Sequence, residues 1–199
     1  LAKANGSLPV NAIANGAVTV SDGAVLRYAA SSANPDMIGT GAMTINGTGR
    51  LDFNGASDTI GALSIAPSGA TVDTTNLLNT AGGGNLTVAS LTVQPAQGLL
   101  TRMDIGTGTL TLGGNVTFNA NTTGRAVISG NNLSLGGATR TLTVNTGIAS
   151  NYDLAIDAVI SGGAAGAGIT KSGGGMLRLG GANTFDGNLS VGNSLGTVV

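Results

Sequence analysis

One short pattern decides most of what this chain can fold into. It reads glycine, any residue, an aliphatic, threonine or serine, and a second apolar residue. Copies stand at Gly16-Ala-Val-Thr-Val20, Gly41-Ala-Met-Thr-Ile45, Gly61-Ala-Leu-Ser-Ile65, Gly84-Asn-Leu-Thr-Val88, Gly108-Thr-Leu-Thr-Leu112 and Gly187-Asn-Leu-Ser-Val191. Looser copies are Asn131-Asn-Leu-Ser-Leu135, Arg140-Thr-Leu-Thr-Val144 and Gly175-Met-Leu-Arg-Leu179. The copies that start at 16, 41, 61, 84, 108 and 131 follow one another at intervals of 20 to 25 residues.

Within each copy apolar and polar residues alternate, which is the period of a strand with one buried side. Short strands at a fixed spacing of twenty-odd residues, with no helical pattern between them, predict a right-handed parallel β-helix: an all-β solenoid with about 20–25 residues per coil. A single coil cannot bury its own aliphatic side and has to stack. At about 4.8 Å per coil, roughly nine coils make a rod on the order of 40 Å long. Ile45, Ile65, Val88, Leu112 and Leu135 should then line the interior, with Thr44, Ser64, Thr87, Thr111 and Ser134 facing outward. The leading glycine of each copy reads as a corner where φ turns positive. A longer echo, in Gly39-Thr-Gly-Ala-Met-Thr-Ile45, Gly106-Thr-Gly-Thr-Leu-Thr-Leu112 and Gly173-Gly-Gly-Met-Leu-Arg-Leu179, repeats at 67 residues and is compatible with three coils.

Composition supports strands over helices. There is no glutamate, lysine occurs only at Lys3 and Lys171, and 35 glycines are spread through the chain, each costing a helix roughly 1 kcal/mol. The competing architecture is a pair of immunoglobulin-like sandwiches, for which Asn15-Gly16, Asn46-Gly47 and Asn54-Gly55 would be hairpin turns. They serve equally well as solenoid corners. With no tryptophan and two tyrosines, and with this period, the solenoid is the better fit.

Charge and missing residue types narrow the function. Eight cationic and nine acidic side chains nearly cancel and stand singly along the sequence, without the clustered Lys/Arg that nucleic acid requires. Cysteine and histidine are absent, which removes the usual ligands of zinc, copper, haem and iron–sulfur groups and the Cys/His and Ser/His/Asp catalytic sets. No cofactor or metal is expected. No run reaches the eighteen or so apolar residues of a membrane span.

Lys171-Ser-Gly173-Gly-Gly175-Met-Leu177-Arg-Leu179-Gly-Gly181-Ala-Asn183-Thr-Phe185-Asp-Gly187 resembles the autotransporter-associated β-strand repeat, also called the passenger-associated transport repeat. The pattern of that family is Lys-x-Gly-x-Gly-x-Leu-x-Leu-x-Gly-x-Asn-x-Tyr-x-Gly, with Phe185 here in the aromatic slot. Leu189 and Ser194 depart from it, standing where Thr and Gly are usual. The stretch from Gly39 to Ile65, with Arg50-Leu-Asp-Phe-Asn-Gly55 and Thr59-Ile-Gly-Ala-Leu63, is similar to coils that accompany such repeats. The resemblance implies a β-helical passenger exported to the bacterial outer surface by type V secretion or an analogous route, whose repeats assist translocation and folding. It implies no enzymatic activity.

Acidic residues are the remaining candidates for chemistry, because β-helices that act on glycans align carboxylates on adjacent coils. Asp52, Asp58 and Asp73 form one set, and Asp153, Asp157 and Arg140 a second. Both read better as corner-capping groups. The glycine clusters at Gly82-Gly-Gly84 and Gly162-Gly163-Ala-Ala-Gly166-Ala-Gly168 lack the Gly-Lys-Ser/Thr of a phosphate loop and read as corners.

The chain is therefore expected to be one continuous solenoid over residues 1–199, with the repeat motif at 171–191, and a piece of a longer extracellular or cell-surface protein. Its expected role is structural, as passenger stalk, adhesin segment or fibre subunit. Glycan binding or processing on an acidic face is the alternative. Neither Leu1 to Ser7 nor Leu195 to Val199 offers a capping element, so homotypic end-to-end association into filaments is expected. A host or cell-surface glycan is the other candidate partner.

Overall fold

The computed structural model describes residues 13–29, 37–68, 70, 72–79, 83–119, 123–147, 151–192 and 196–199. Leu1 to Ser7, Gly82, Ser194 and Leu195 lie outside the described residues. Among the described residues there is no helix. β1 (Val18–Val20) and β2 (Val25–Arg27) are followed by β3 (Met43–Asn46) and β4 (Arg50–Asp52), then β5 (Asp58–Ala66) and β6 (Thr74–Leu78), then β7 (Asn85–Val93) and β8 (Leu100–Asp104). The next coils carry three strands each: β9 (Thr109–Leu112), β10 (Val116–Phe118) and β11 (Arg125–Ser129), then β12 (Asn132–Ser134), β13 (Arg140–Val144) and β14 (Leu154–Ile156). β15 (Val159–Ser161), β16 (Ile169–Ser172) and β17 (Leu177–Leu179) follow, and β18 (Leu189–Val191) is the last.

These strands stack into a β-solenoid with three faces. Face I is the hydrogen-bonded path β1-β3-β5-β7-β10-β13-β16-β18, and face II is β2-β4-β6-β8-β11-β14-β17. Face III begins with the first halves of β5 and β7 and continues through β9, β12 and β15. The nine-residue strands β5 and β7 bend from face III onto face I, which joins those two faces into one eleven-stranded sheet. Every pairing is parallel.

The interior is a stack of aliphatic rungs. Ile45, Ile65, Val88, Leu112 and Leu135 are all fully buried, as alternation requires. Thr44, Ser64, Thr87 and Thr111 are half-buried on the outside. Ser134 departs from expectation: it is 9% exposed, and its hydroxyl accepts the Gly136 N–H.

Register corrects the reading of the repeat. Ile45 pairs with Ile65 and Ile65 with Val93 on face I, whereas Val88 pairs with Leu112 on face III. The five aliphatics thus belong to two ladders, and the pentad changes face between Gly61 and Gly84. The aligned inward column of face I is Val18, Met43, Leu63, Leu91, Val116, Leu142, Lys171 and Val191. Its successive differences give coils of 25, 20, 28, 25, 26, 29 and 20 residues. The 67-residue echo dissolves in the same way, since its three copies lie on face I in β3, face III in β9 and face II in β17.

The pentad glycines serve a different purpose from the one expected. None of Gly16, Gly41, Gly61, Gly84, Gly108 or Gly187 has positive φ. A Cβ at Gly41, Gly61, Gly84 or Gly108 would lie 2.2, 2.2, 2.1 or 1.7 Å from a backbone oxygen of the preceding coil. Absence of a side chain, and not a left-handed turn, is what these positions need. Left-handed backbone is used elsewhere, as at Asn54 with φ of 47° and Gly55 with φ of 81°. That Asn-Gly pair turns the corner between the consecutive strands β4 and β5 and makes no hairpin.

The repeat motif folds as one full circuit of the coil. Lys171 lies in β16, and Gly173 turns the corner with φ of 76°. Leu177 is buried in β17, and the Asn183 side chain accepts the Ile160 N–H at 2.9 Å. Phe185 packs on the core, and a Cβ at Gly187 would lie 2.4 Å from the Gly166 carbonyl oxygen. Gly173, Leu177, Asn183 and Gly187 therefore each fix a corner or a rung against the coil before them.

Candidate functional surfaces

The acidic candidates are dispersed, each with its own local task. Asp52 sits on β4, where Oδ1 accepts the Asn54 N–H at 2.9 Å and Oδ2 meets Arg27 Nε at 3.2 Å. Asp58, 3% exposed, accepts the Tyr28 hydroxyl and the Ile38 N–H on Oδ2 and the Thr59 N–H on Oδ1. Asp73 is exposed before β6 and accepts the Leu100 N–H at 3.0 Å. In the second set, buried Asp153 accepts the Met176 and Gly147 N–H groups at 2.7 and 3.0 Å. Asp157 pairs with Arg178 instead of Arg140, whose guanidinium donates to the Leu135 and Gly113 carbonyls. No three acidic side chains among the described residues are grouped so as to hold a metal ion.

Two surface patterns escaped the sequence reading because they depend on register. On face I the outward residues Thr19, Thr44, Ser64, Thr92, Thr117, Thr143 and Ser172 are aligned partners, one hydroxyl per coil over seven levels. Thr143 and Ser172 hydroxyls share a hydrogen bond of 2.9 Å. Beside them, Asn145 donates to the Asn119 side-chain oxygen at 2.8 Å. The outward positions of these strands carry no charge. Face II carries five of the six arginines: Arg27, Arg50, Arg102, Arg125 and Arg178. Outside its sheet Leu100, Val127 and Ala155 form a small apolar cluster on which Tyr152 packs. The Arg125 and Arg178 guanidiniums lie 5.5 and 4.4 Å from the Tyr152 ring centroid, close enough for cation–π attraction.

Lys171 is the chemical oddity of the interior. It occupies a column position that other coils fill with Val, Met or Leu, and it is 1% exposed. Its ammonium donates to the Ser172 and Gly173 carbonyls. Burial pushes its pKa below the ordinary 10.5, opposed in part by the charge of Asp153. A base weakened by folding binds fewer protons in the native state than in the unfolded chain. Stability should therefore rise with pH in the window just below 10.5. Urea midpoints measured across that window should climb in the parent and climb less in Lys171→Met; parallel curves would refute the assignment.

A continuous parallel solenoid with an aliphatic interior and a hydroxyl-rich exterior defines a structural β-helical protein, and its form fits the passenger of an autotransporter. Among curated proteins the chain is similar to the adhesin BmaC autotransporter of Brucella suis biovar 1 (strain 1330), with 44% identity over 86 residues. That match covers 42% of this chain and 2% of the adhesin. No protein-family model matches the chain, and no solved structure does. No helix among the described residues is long and apolar enough to cross a membrane.

Proposed function

We propose that residues 1–199 are one continuous stretch of the β-helical stalk of an outer-surface adhesin, exported through the outer membrane, and that the stretch acts as a spacer and not a catalyst. The observation that carries this reading is the unbroken hydrogen-bonded path from β1 to β18, along which the aspartates of the described residues are spent on corners and neighbouring coils. Similarity to an autotransporter adhesin supports it.

A coil deletion tests the spacer role. Removing residues 109–131 takes out β9, β10 and β11 together, so β12, β13 and β14 inherit their places on the three faces. The shortened parent protein should still reach the cell surface, with its stalk shorter by about 4.8 Å and its adhesion intact. Loss of adhesion or of an enzymatic activity with surface display unchanged would show that this coil carries function of its own.

A further inference from the structure

Given the outer-surface stalk proposed for this chain, we infer that face II is a docking surface for phosphate-bearing lipid, and that the solenoid lies with this side against the membrane through which it is exported. The basis is an asymmetry of charge. Among the described residues Asp52 is paired with Arg27 and Asp157 with Arg178, and the Asp104 carboxylate accepts the Gly106 N–H at its corner. Arg50, Arg102 and Arg125 are left without an acidic partner. All three stand on face II strands, in a chain whose net charge is -1.

Register gathers these cations around one patch. Thr75, Arg102, Val127, Ala155 and Arg178 are aligned partners on successive coils, and Leu100 pairs with Arg125. Arg102 and Arg125 are thus one coil and two residues apart, about 8 Å between Cα atoms. Val127 and Ala155 form a floor of short side chains between Arg102 and Arg178, and Tyr152 packs on it. Tyrosine has an apolar body and a polar tip and suits the boundary between lipid and water. Each guanidinium beside it offers five donors in a planar fork that matches phosphate oxygens.

Magnitude selects the occupant. An arginine near an anionic lipid surface strengthens attachment about fivefold, so three give about a hundredfold. A dissolved anion held by so little stays mostly free at micromolar concentration. A membrane presents its phosphates as a dense array at fixed distance from a stalk held beside it, and this high effective concentration makes weak contacts sufficient. The docking is therefore reversible, with the length of the stalk setting its reach along the surface.

Co-sedimentation with lipid vesicles tests the assignment. The chain should bind vesicles made of equal parts phosphatidylcholine and phosphatidylglycerol, and not phosphatidylcholine alone, with binding that weakens as salt shortens the Debye length below about 10 Å. The double variant Arg102→Ser, Arg125→Ser should bind roughly 25-fold more weakly. Arg102→Ser alone, at an exposed position, should lose about fivefold and keeps the Arg125 contact with Tyr152 intact. The double variant Thr92→Asp, Thr117→Asp lowers the net charge as much as the double arginine variant, but on face I, and should change binding less than about twofold. Equal losses in the two double variants would show that overall charge and not face II is responsible, and overturn the proposal. So would absence of binding to the mixed vesicles, or polyglutamate bound as tightly as the vesicles, which would assign the face to a dissolved partner. The coil deletion tests the stalk reading separately, on surface display and adhesion, so the two can fail independently.

Discussion

Gly108→Ala should destabilise the solenoid by about 3 kcal/mol or more, while Gly16→Ala, at the same position of the same pentad, should leave it unchanged or stabilise it by about 0.5 kcal/mol. A Cβ at Gly108 would meet backbone of the preceding coil, and one at Gly16 would meet nothing within 4 Å. A methyl group at Gly108 would sit 1.7 Å from the Gly84 carbonyl oxygen, and that oxygen belongs to backbone, which cannot rotate away. The coils would have to separate there, and separation breaks the β7–β9 ladder from Asn85–Thr109 to Val88–Leu112. At Gly16 nothing lies within 4 Å of the added atom, and φ is not left-handed, so alanine removes only unfolded-state freedom. Urea unfolding of both variants decides the matter. Similar losses in both would show that these glycines serve backbone conformation, against the close-approach account.

That pair of substitutions also marks where sequence reasoning held and where it failed. Alternation named the interior correctly because the period of a strand is local: Val, Ile and Leu two residues apart must share a side, whatever the coil does next. Facial assignment is not local. It depends on corner lengths, and these vary, from the short turn between β3 and β4 to the longer connection from β13 to β14. Gly61 and Gly84 begin near-identical pentads, yet Ile65 lies on face I and Val88 on face III. The extra strand halves in β5 and β7 shift the pattern by one face. The hydroxyl ladder was hidden for the same reason, since it joins residues 20 to 29 positions apart by register, and the arginine-rich face because it gathers single residues from five separate strands. Lys171 could be seen as a motif residue but not as an interior one, because a charged side chain in an apolar column contradicts the pattern that identifies the column.

The segment from Gly173 to Gly187 is built from constraints that are local as well. Gly173, Gly175, Leu177, Asn183 and Gly187 all act within one circuit, and each meets the coil directly before it. A solenoid assembled in this way grows by adding circuits, with each new coil templated on an exposed ladder edge.

Asp58→Ala should cost about 3–5 kcal/mol, the second large effect, because one buried carboxylate ties three successive coils together. Tyr28 follows β2, Ile38 precedes β3, and Asp58 opens β5, so the hydrogen bonds from the Tyr28 hydroxyl and the Ile38 N–H cross two coil boundaries. Both donors are buried, with Tyr28 1% and Ile38 0% exposed, so water cannot replace the lost acceptor without opening the core. The Tyr28 ring also stacks against Phe53 with centroids 5.2 Å apart, so displacement of the tyrosine disturbs the interior of the next coil. Asp58→Asn keeps one acceptor and should lose about 1–3 kcal/mol. Tyr28→Phe removes the hydroxyl and leaves the ring, and the double variant with Asp58→Ala should cost less than the sum of the single changes, since both remove the same bond. Strict additivity in that cycle would mean that the tyrosine and the aspartate do not act on each other, and the corner would have to be held by something else.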